Sequence, residues 1–118
     1  MGYTTEFEGH VDITPPLTAE EVAAINKFGD ERHHGTEFPE GSFYCQWIAS
    51  EDGTLIEWDG NEKFYAAPEW MEYLIEHFLK DNHSVNGVIR AYGEDPDDLW
   101  TLTVCDNKVS TKEAEIQW

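Results

Sequence analysis

Two tight turns constrain this chain more than any other feature. Glu51-Asp52-Gly53-Thr54 and Asp106-Asn107 each stand between two short apolar segments. Asp-Gly supplies the positive φ that a close hairpin requires. Segments joined by so few residues pair antiparallel, because a parallel crossover needs a dozen residues or more. Hairpin links therefore predict a mostly antiparallel sheet.

The other segments follow from periodicity. Between residues 3 and 13, Tyr3, Phe7, Val11 and Ile13 point one way and Glu6, Glu8 and Asp12 the other, the alternation of a half-buried strand. Thr14-Pro15-Pro16 ends it, since neither proline can donate to a ladder. Thr18 and Glu21 have the spacing of a capping box. Val22, Ile25 and Phe28 then form an apolar helical stripe, with Gly29 as its expected stop. Residues 30–41 are polar and aperiodic and read as a mobile loop. Residues 43–49 read as a strand with Phe43, Cys45 and Trp47 on one face, and 55–58 return before the turn Asp59-Gly60-Asn61. A second helix is predicted over 68–80. Pro68 suits its first position, Met71, Leu74, Ile75 and Phe78 form its apolar face, and Lys80 lies in its last turn. Strands are predicted over 85–92, 99–105 and 109–118, the last with Ala114, Ile116 and Trp118 inward. The expectation is one α+β domain over 1–118, a mostly antiparallel sheet in the order β-α-β-β-α-β-β-β with both helices on one face.

Composition speaks about partners. The chain has 118 residues, 25 Asp and Glu against seven Lys and Arg, and a formal charge of −18. Such an excess destabilises a compact state through self-repulsion, so it bears on partners and solubility rather than fold. It excludes direct binding of nucleic acid or an anionic membrane, which needs clustered cations. Five Trp, five Tyr and six Phe argue against disorder. No apolar run reaches membrane-spanning length, and the first residues lack the pattern of a signal peptide, so a cytoplasmic protein is expected. Cys45 and Cys105 both fall in apolar strand patterns and are read as reduced, buried thiols.

Four constellations could carry function. Glu69, Glu72 and Glu76 stack at i, i+3 and i+7 on the second helix, as either a solvated face or a carboxylate rail about 5–6 Å apart that imitates a phosphate row. The loop 93–98 holds Glu94, Asp95, Asp97 and Asp98, without the alternating ligand spacing that calcium favours, so it reads as a polar loop or an anionic contact loop. Glu51, Asp52 and Asp59 add further acids in turns. His33-His34 near Glu37 lack the rigid three- or four-ligand frame of zinc and read as a solvated loop. The five tryptophans read mainly as core. No Gly-x-Ser-x-Gly elbow or phosphate-binding loop occurs, and no catalytic residue, metal ligand or cofactor is assigned.

Several stretches together resemble a group of small uncharacterised proteins of actinobacteria and of the phages that infect them. They are Thr14-Pro15-Pro16-Leu17, Cys45-Gln46-Trp47, Glu57-Trp58-Asp59-Gly60, Lys63-Phe64-Tyr65, Glu69-Trp70-Met71-Glu72-Tyr73-Leu74-Ile75 and Gly93-Glu94-Asp95-Pro96-Asp97-Asp98. The likeness covers most of the chain except the loop 30–41, which is shorter here. It implies a phage or prophage setting and transfers no catalytic residue.

The functional expectation is a non-enzymatic acidic protein that binds a basic host protein surface, extending to nucleic-acid mimicry against a nucleic-acid-binding defence or regulatory protein. Its contact residues would be Glu69, Glu72, Glu76, Glu94, Asp95, Asp97, Asp98, Glu51, Asp52 and Asp59. Two alternatives stand beside it. One is a small enzyme or ligand-binding domain with a pocket between the helices and the sheet, or under the loop 30–41, lined by Tyr44, Trp47 or Tyr92. The other is an accessory domain whose charge only keeps it soluble.

Overall fold

The alternating segment at the start of the chain becomes the middle of a sheet. In the computed structural model, which describes residues 5–33, 35, 38–39, 43–61, 64–95 and 97–113, it forms β1, Thr5–Thr14. β1 pairs on one side with β3, Leu55–Trp58, and on the other with β4, Ser84–Gly93. β2, Trp47–Ala49, flanks β3, while β5, Leu99–Cys105, and β6, Lys108–Glu113, continue beyond β4. Among the described residues the sheet has six strands in the order β2-β3-β1-β4-β5-β6, every pair antiparallel. The fold is α+β, in the predicted chain order.

The turns behave as their residues dictate. Gly53 adopts φ +75°, and an added Cβ there would collide with the Leu17 carbonyl oxygen. Asp106 and Asn107 both take positive φ, 48° and 69°, the geometry that closes a two-residue hairpin with the twist of its strands. The Asn107 side chain accepts from the Val85 N–H at 2.6 Å and donates to the His83 carbonyl at 2.9 Å, which ties this turn to the start of β4.

Helix α1, Ala19–Asp30, carries the predicted capping box: Thr18 Oγ1 accepts from the Glu21 N–H, and Glu21 Oε1 accepts from the Thr18 N–H. Gly29 is not its stop but lies inside it. A Cβ there would sit 3.1 Å from the Cys45 carbonyl oxygen, so the small residue admits the chain entering β2. Asn26 faces β2 from the same helix. Its amide donates to the Ala49 carbonyl at 3.2 Å and accepts the Ala49 N–H at 2.9 Å, standing where a further strand would pair.

Helix α2, Ala67–Leu74, begins with Pro68 in its first turn and passes directly into a π-helical turn, Ile75–Leu79. The Lys80 N–H reaches the Ile75 carbonyl at 2.8 Å, the i to i+5 bond of that turn. The extra residue rotates the inward face. Ile75 and Leu79 are buried while Phe78 is only partly so, where uniform 3.6-residue spacing had placed Phe78 inward.

One core joins both helices to the sheet face that bears Phe7, Val11 and Ile13. Phe7 lies at its centre, with the edges or faces of Trp47, Trp58, Phe64 and Trp100 at centroid distances of 5.4–5.9 Å. Trp47 and Trp70 are fully buried, and the Trp47 indole N–H donates to the Ala67 carbonyl at 2.8 Å. Trp58 and Trp100 pack against this core from partly exposed positions, as the core reading of the tryptophans expects. Tyr3, Ala114, Ile116 and Trp118 lie outside the described residues.

Two local expectations change. The strand predicted over 43–49 is confined to Trp47–Ala49, because Cys45 is buried in irregular chain against Gly29 rather than in a ladder. Cys45 and Cys105 are both free thiols, but only Cys45 is buried. Cys105 follows the alternation of β5 onto the solvent side, opposite Lys108.

Candidate functional site

The acidic row of the second helix keeps its exposure. Glu69, Glu72 and Glu76 all face solvent, the first two from α2 and the third from the π turn. Glu76 is drawn toward Lys80, with Nζ to Oε1 at 2.6 Å, and this hydrogen bond and charge hold its carboxyl below the usual range.

These carboxylates line an open groove of about 720 Å³ between the helix, the β5–β6 turn and Phe38-Pro39. Its aromatic wall is Phe38 and Tyr73. A second groove of about 410 Å³ continues between the start of α2, β6 and Trp100, and includes Asp98 and Glu113. Glu69 borders both, so the two form one trench along the helix. Lys108 and Lys112 border it from β6, while register sets their side chains on the opposite face of the sheet.

The wall has its own support. His33 stacks on Phe28 with ring centroids 4.0 Å apart and lies 4.8 Å from Phe38, while its Nε2 is 2.8 Å from the Phe28 carbonyl oxygen. Tyr73 stacks between Phe28 and His77, at 5.2 and 4.1 Å. His33 is therefore half-buried against rings, contrary to the solvated-loop reading. His34 and Glu37 lie outside the described residues. Nothing in the polar sequence around His33 marks this packing: Phe28 reads there as core of α1, Phe38 lies in aperiodic chain and Trp70 is distant.

The ten candidate acids divide. Glu69, Glu72, Glu76 and Asp98 come together in the trench. Glu94, Asp95 and Asp97 share the β4–β5 loop with Asp98, at the end of the sheet where β1 begins. Glu51 and Asp52 occupy the β2–β3 turn at the opposite end, where Gly53 and Thr54 bond to Leu17 and Ile13. Asp59 follows β3, on the β2 side of the sheet.

Two of these acids are committed to their own turns. Asp52 Oδ1 accepts from the Thr54 hydroxyl at 2.7 Å, the Ser50 hydroxyl at 2.7 Å and the Thr54 N–H at 3.0 Å, which pulls its pKa down to about 2. Asp59 accepts from the Asn61 backbone at 2.8 Å and its side chain at 2.9 Å. Glu113 and Phe38 were not singled out from the sequence, and His77 reads there as a scattered histidine with no shared site; all three line the trench. Only the placement of α2 beside β6 brings them to it.

Chemistry elsewhere is sparse. Burial pushes the Cys45 thiol up to about 12, which leaves it without a useful thiolate population. His83 is buried, with Nδ1 2.7 Å from the Pro15 carbonyl oxygen and Nε2 2.9 Å from Glu21 Oε2, so it joins the strand–helix connection to the start of β4. Trp47 is core rather than pocket wall, and neither groove touches Tyr44 or Tyr92. Among the described residues, no group of three or more His, Cys, Asp or Glu could hold a metal ion, and no helix is long and apolar enough to cross a membrane. No family model, curated protein or solved structure matches the chain.

Proposed function

We propose that this is a non-enzymatic interaction protein of a phage or prophage setting, acting in the host cytoplasm on a basic protein surface. Nucleic-acid-binding host proteins are the partners whose charge fits best. The observation that carries the reading is the row Glu69, Glu72 and Glu76 along an open trench with Phe38 and Tyr73 in its wall. Carboxylates attract Lys and Arg at long range, and half-buried aromatics beside them leave a partner's side chains some apolar surface to cover.

The average charge is too dilute to act alone. A net −18 over 7370 Å² is one charge per about 410 Å². B-DNA, with one charge per 1.7 Å of axis and a radius of roughly 10 Å, presents one per about 110 Å². Imitation of a polyanion therefore depends on local rows, and the helix bank supplies one.

The test is the affinity for candidate basic host proteins measured across ionic strength. A logarithmic fall with added salt is expected. Affinity that does not weaken in salt, or no binding to any basic partner, rejects the reading in favour of a domain whose charge serves solubility.

A further inference from the structure

The helices cover one face of the sheet and leave the other open. Register places on that open face Glu6, Glu8, His10 and Asp12 of β1, Glu57 of β3, Val88 and Arg90 of β4, and Lys108 and Lys112 of β6. His10 and Asp12 confirm a shared side, with Nε2 to Oδ1 at 3.2 Å. Val88, near the middle, is 52% exposed.

The charges on this face are sorted by strand. Carboxylates stand on β3 and β1, cations on β4 and β6. The strands of this face carry four carboxylates and three Lys or Arg, one unit negative. The remaining 21 carboxylates and four cations of the chain make it 17 units negative elsewhere. Two copies of so acidic a protein repel one another over most of their surface. On this face the repulsion nearly vanishes, and its two halves have opposite sign.

We propose that two copies of this chain associate through the open sheet face, about a two-fold axis parallel to the strands between β1 and β4. This operation lays β1 of one copy over β4 of the other, and β3 over β5. Glu8 and Arg90 are direct neighbours across β1 and β4 in one copy. The axis sets Glu8 of each copy over Arg90 of the other, so the same complementary contact forms twice. Val88 of each copy lies against the His10 position of its mate, among Glu8, Asp12 and Glu57, where an added carboxylate would meet only acids. An axis perpendicular to the strands would instead stack acid on acid.

The face is large enough. Six strands about 4.8 Å apart and about seven residues long give roughly 650 Å² per copy, against about 800 Å² per partner in a standard interface. A face this polar and slightly undersized makes a weak dimer, with Kd on the order of 10–100 µM.

Sedimentation velocity of the full chain at about 0.15 M salt, across concentrations spanning that Kd, tests the proposal. A concentration-dependent shift to twice the monomer mass is expected. Arg90→Glu should weaken association at least about tenfold, and Glu8→Arg combined with Arg90→Glu should restore it. Val88→Glu, a change at an exposed site, should also weaken it while leaving the circular dichroism unchanged, and it keeps the test valid where Arg90→Glu disturbs the fold. A monomer at every concentration overturns the proposal. So does a dimer indifferent to both Arg90→Glu and Val88→Glu, which would place the contact on another surface.

Discussion

Replacing Asn26 with alanine removes the two hydrogen bonds that complete the β2 edge of the sheet. β2 is three residues long and has a strand partner on one side only. On its other side the Asn26 amide takes both backbone groups of Ala49, which is buried. Each such bond contributes about 1 kcal/mol net, and a buried group left unpaired costs about 1–3 kcal/mol. Alanine returns about 0.5 kcal/mol of helix propensity in α1. The balance is a loss of about 2 kcal/mol. With 118 residues and an unfolding entropy of about 2.1 cal/mol/K per residue, that corresponds to a Tm lower by about 8 °C. Urea unfolding should show a lower midpoint with an unchanged slope, and amide exchange at Ala49 should accelerate. Asn26→Asp keeps the acceptor for the Ala49 N–H but sets a charge against its carbonyl, so it should be destabilised at neutral pH and recover partly as the carboxyl protonates. An alanine variant within about 0.5 kcal/mol of the parent would refute the reasoning, for it would mean that water replaces the Asn26 side chain without cost.

Other outcomes follow from the same structure. A thiol reagent should modify Cys105 at once in the native protein and Cys45 only on unfolding; two fast thiols would contradict the burial of Cys45. The Glu21 carboxyl is held below its ordinary 4.5, first by the Thr18 N–H and then by the His83 ring. Its stabilisation is therefore complete above about pH 4.5 and fades as pH falls through the lower folded value. Glu21→Gln should flatten the stability profile in that acid range, and equal slopes for variant and parent would disprove the linkage. Carbon-detected NMR should find Asp52 titrating near 2, with Thr54→Val moving it upward; a native value near 3.8 would mean the turn is not closed as described.

What could be read in the sequence is what local chemistry decides. The capping box at Thr18, the Asp52-Gly53 and Asp106-Asn107 turns, and the alternation of β1 depend on residues a few positions apart, and all three form as predicted. Gly29 was misread because its role lies in the approach of Cys45, which is remote in sequence. Phe78 packs against the core but is only partly buried, and Leu79 takes the fully buried place, because the 3.6-residue period does not anticipate an i to i+5 bond at Lys80. Cys105 was the avoidable error: Leu102 and Val104 are buried, and strict alternation sets Cys105 opposite to them. At the candidate site, the row Glu69, Glu72 and Glu76 was legible from helical spacing alone. Asp98 and Glu113 join it only because β6 runs beside α2, and no local pattern encodes that neighbourhood.

The most direct measurement compares two triple variants of equal net charge in binding to one arginine-rich peptide at fixed salt. Glu69→Gln, Glu72→Gln and Glu76→Gln neutralise the helix bank; Glu6→Gln, Glu8→Gln and Glu57→Gln neutralise as many carboxylates on the sheet. The pairs are solvent-exposed and individually weak, so the helix variant should lose about tenfold in affinity and the sheet variant much less. Equal losses would mean that the peptide reads only total charge, and the trench would then have no claim to be the binding site.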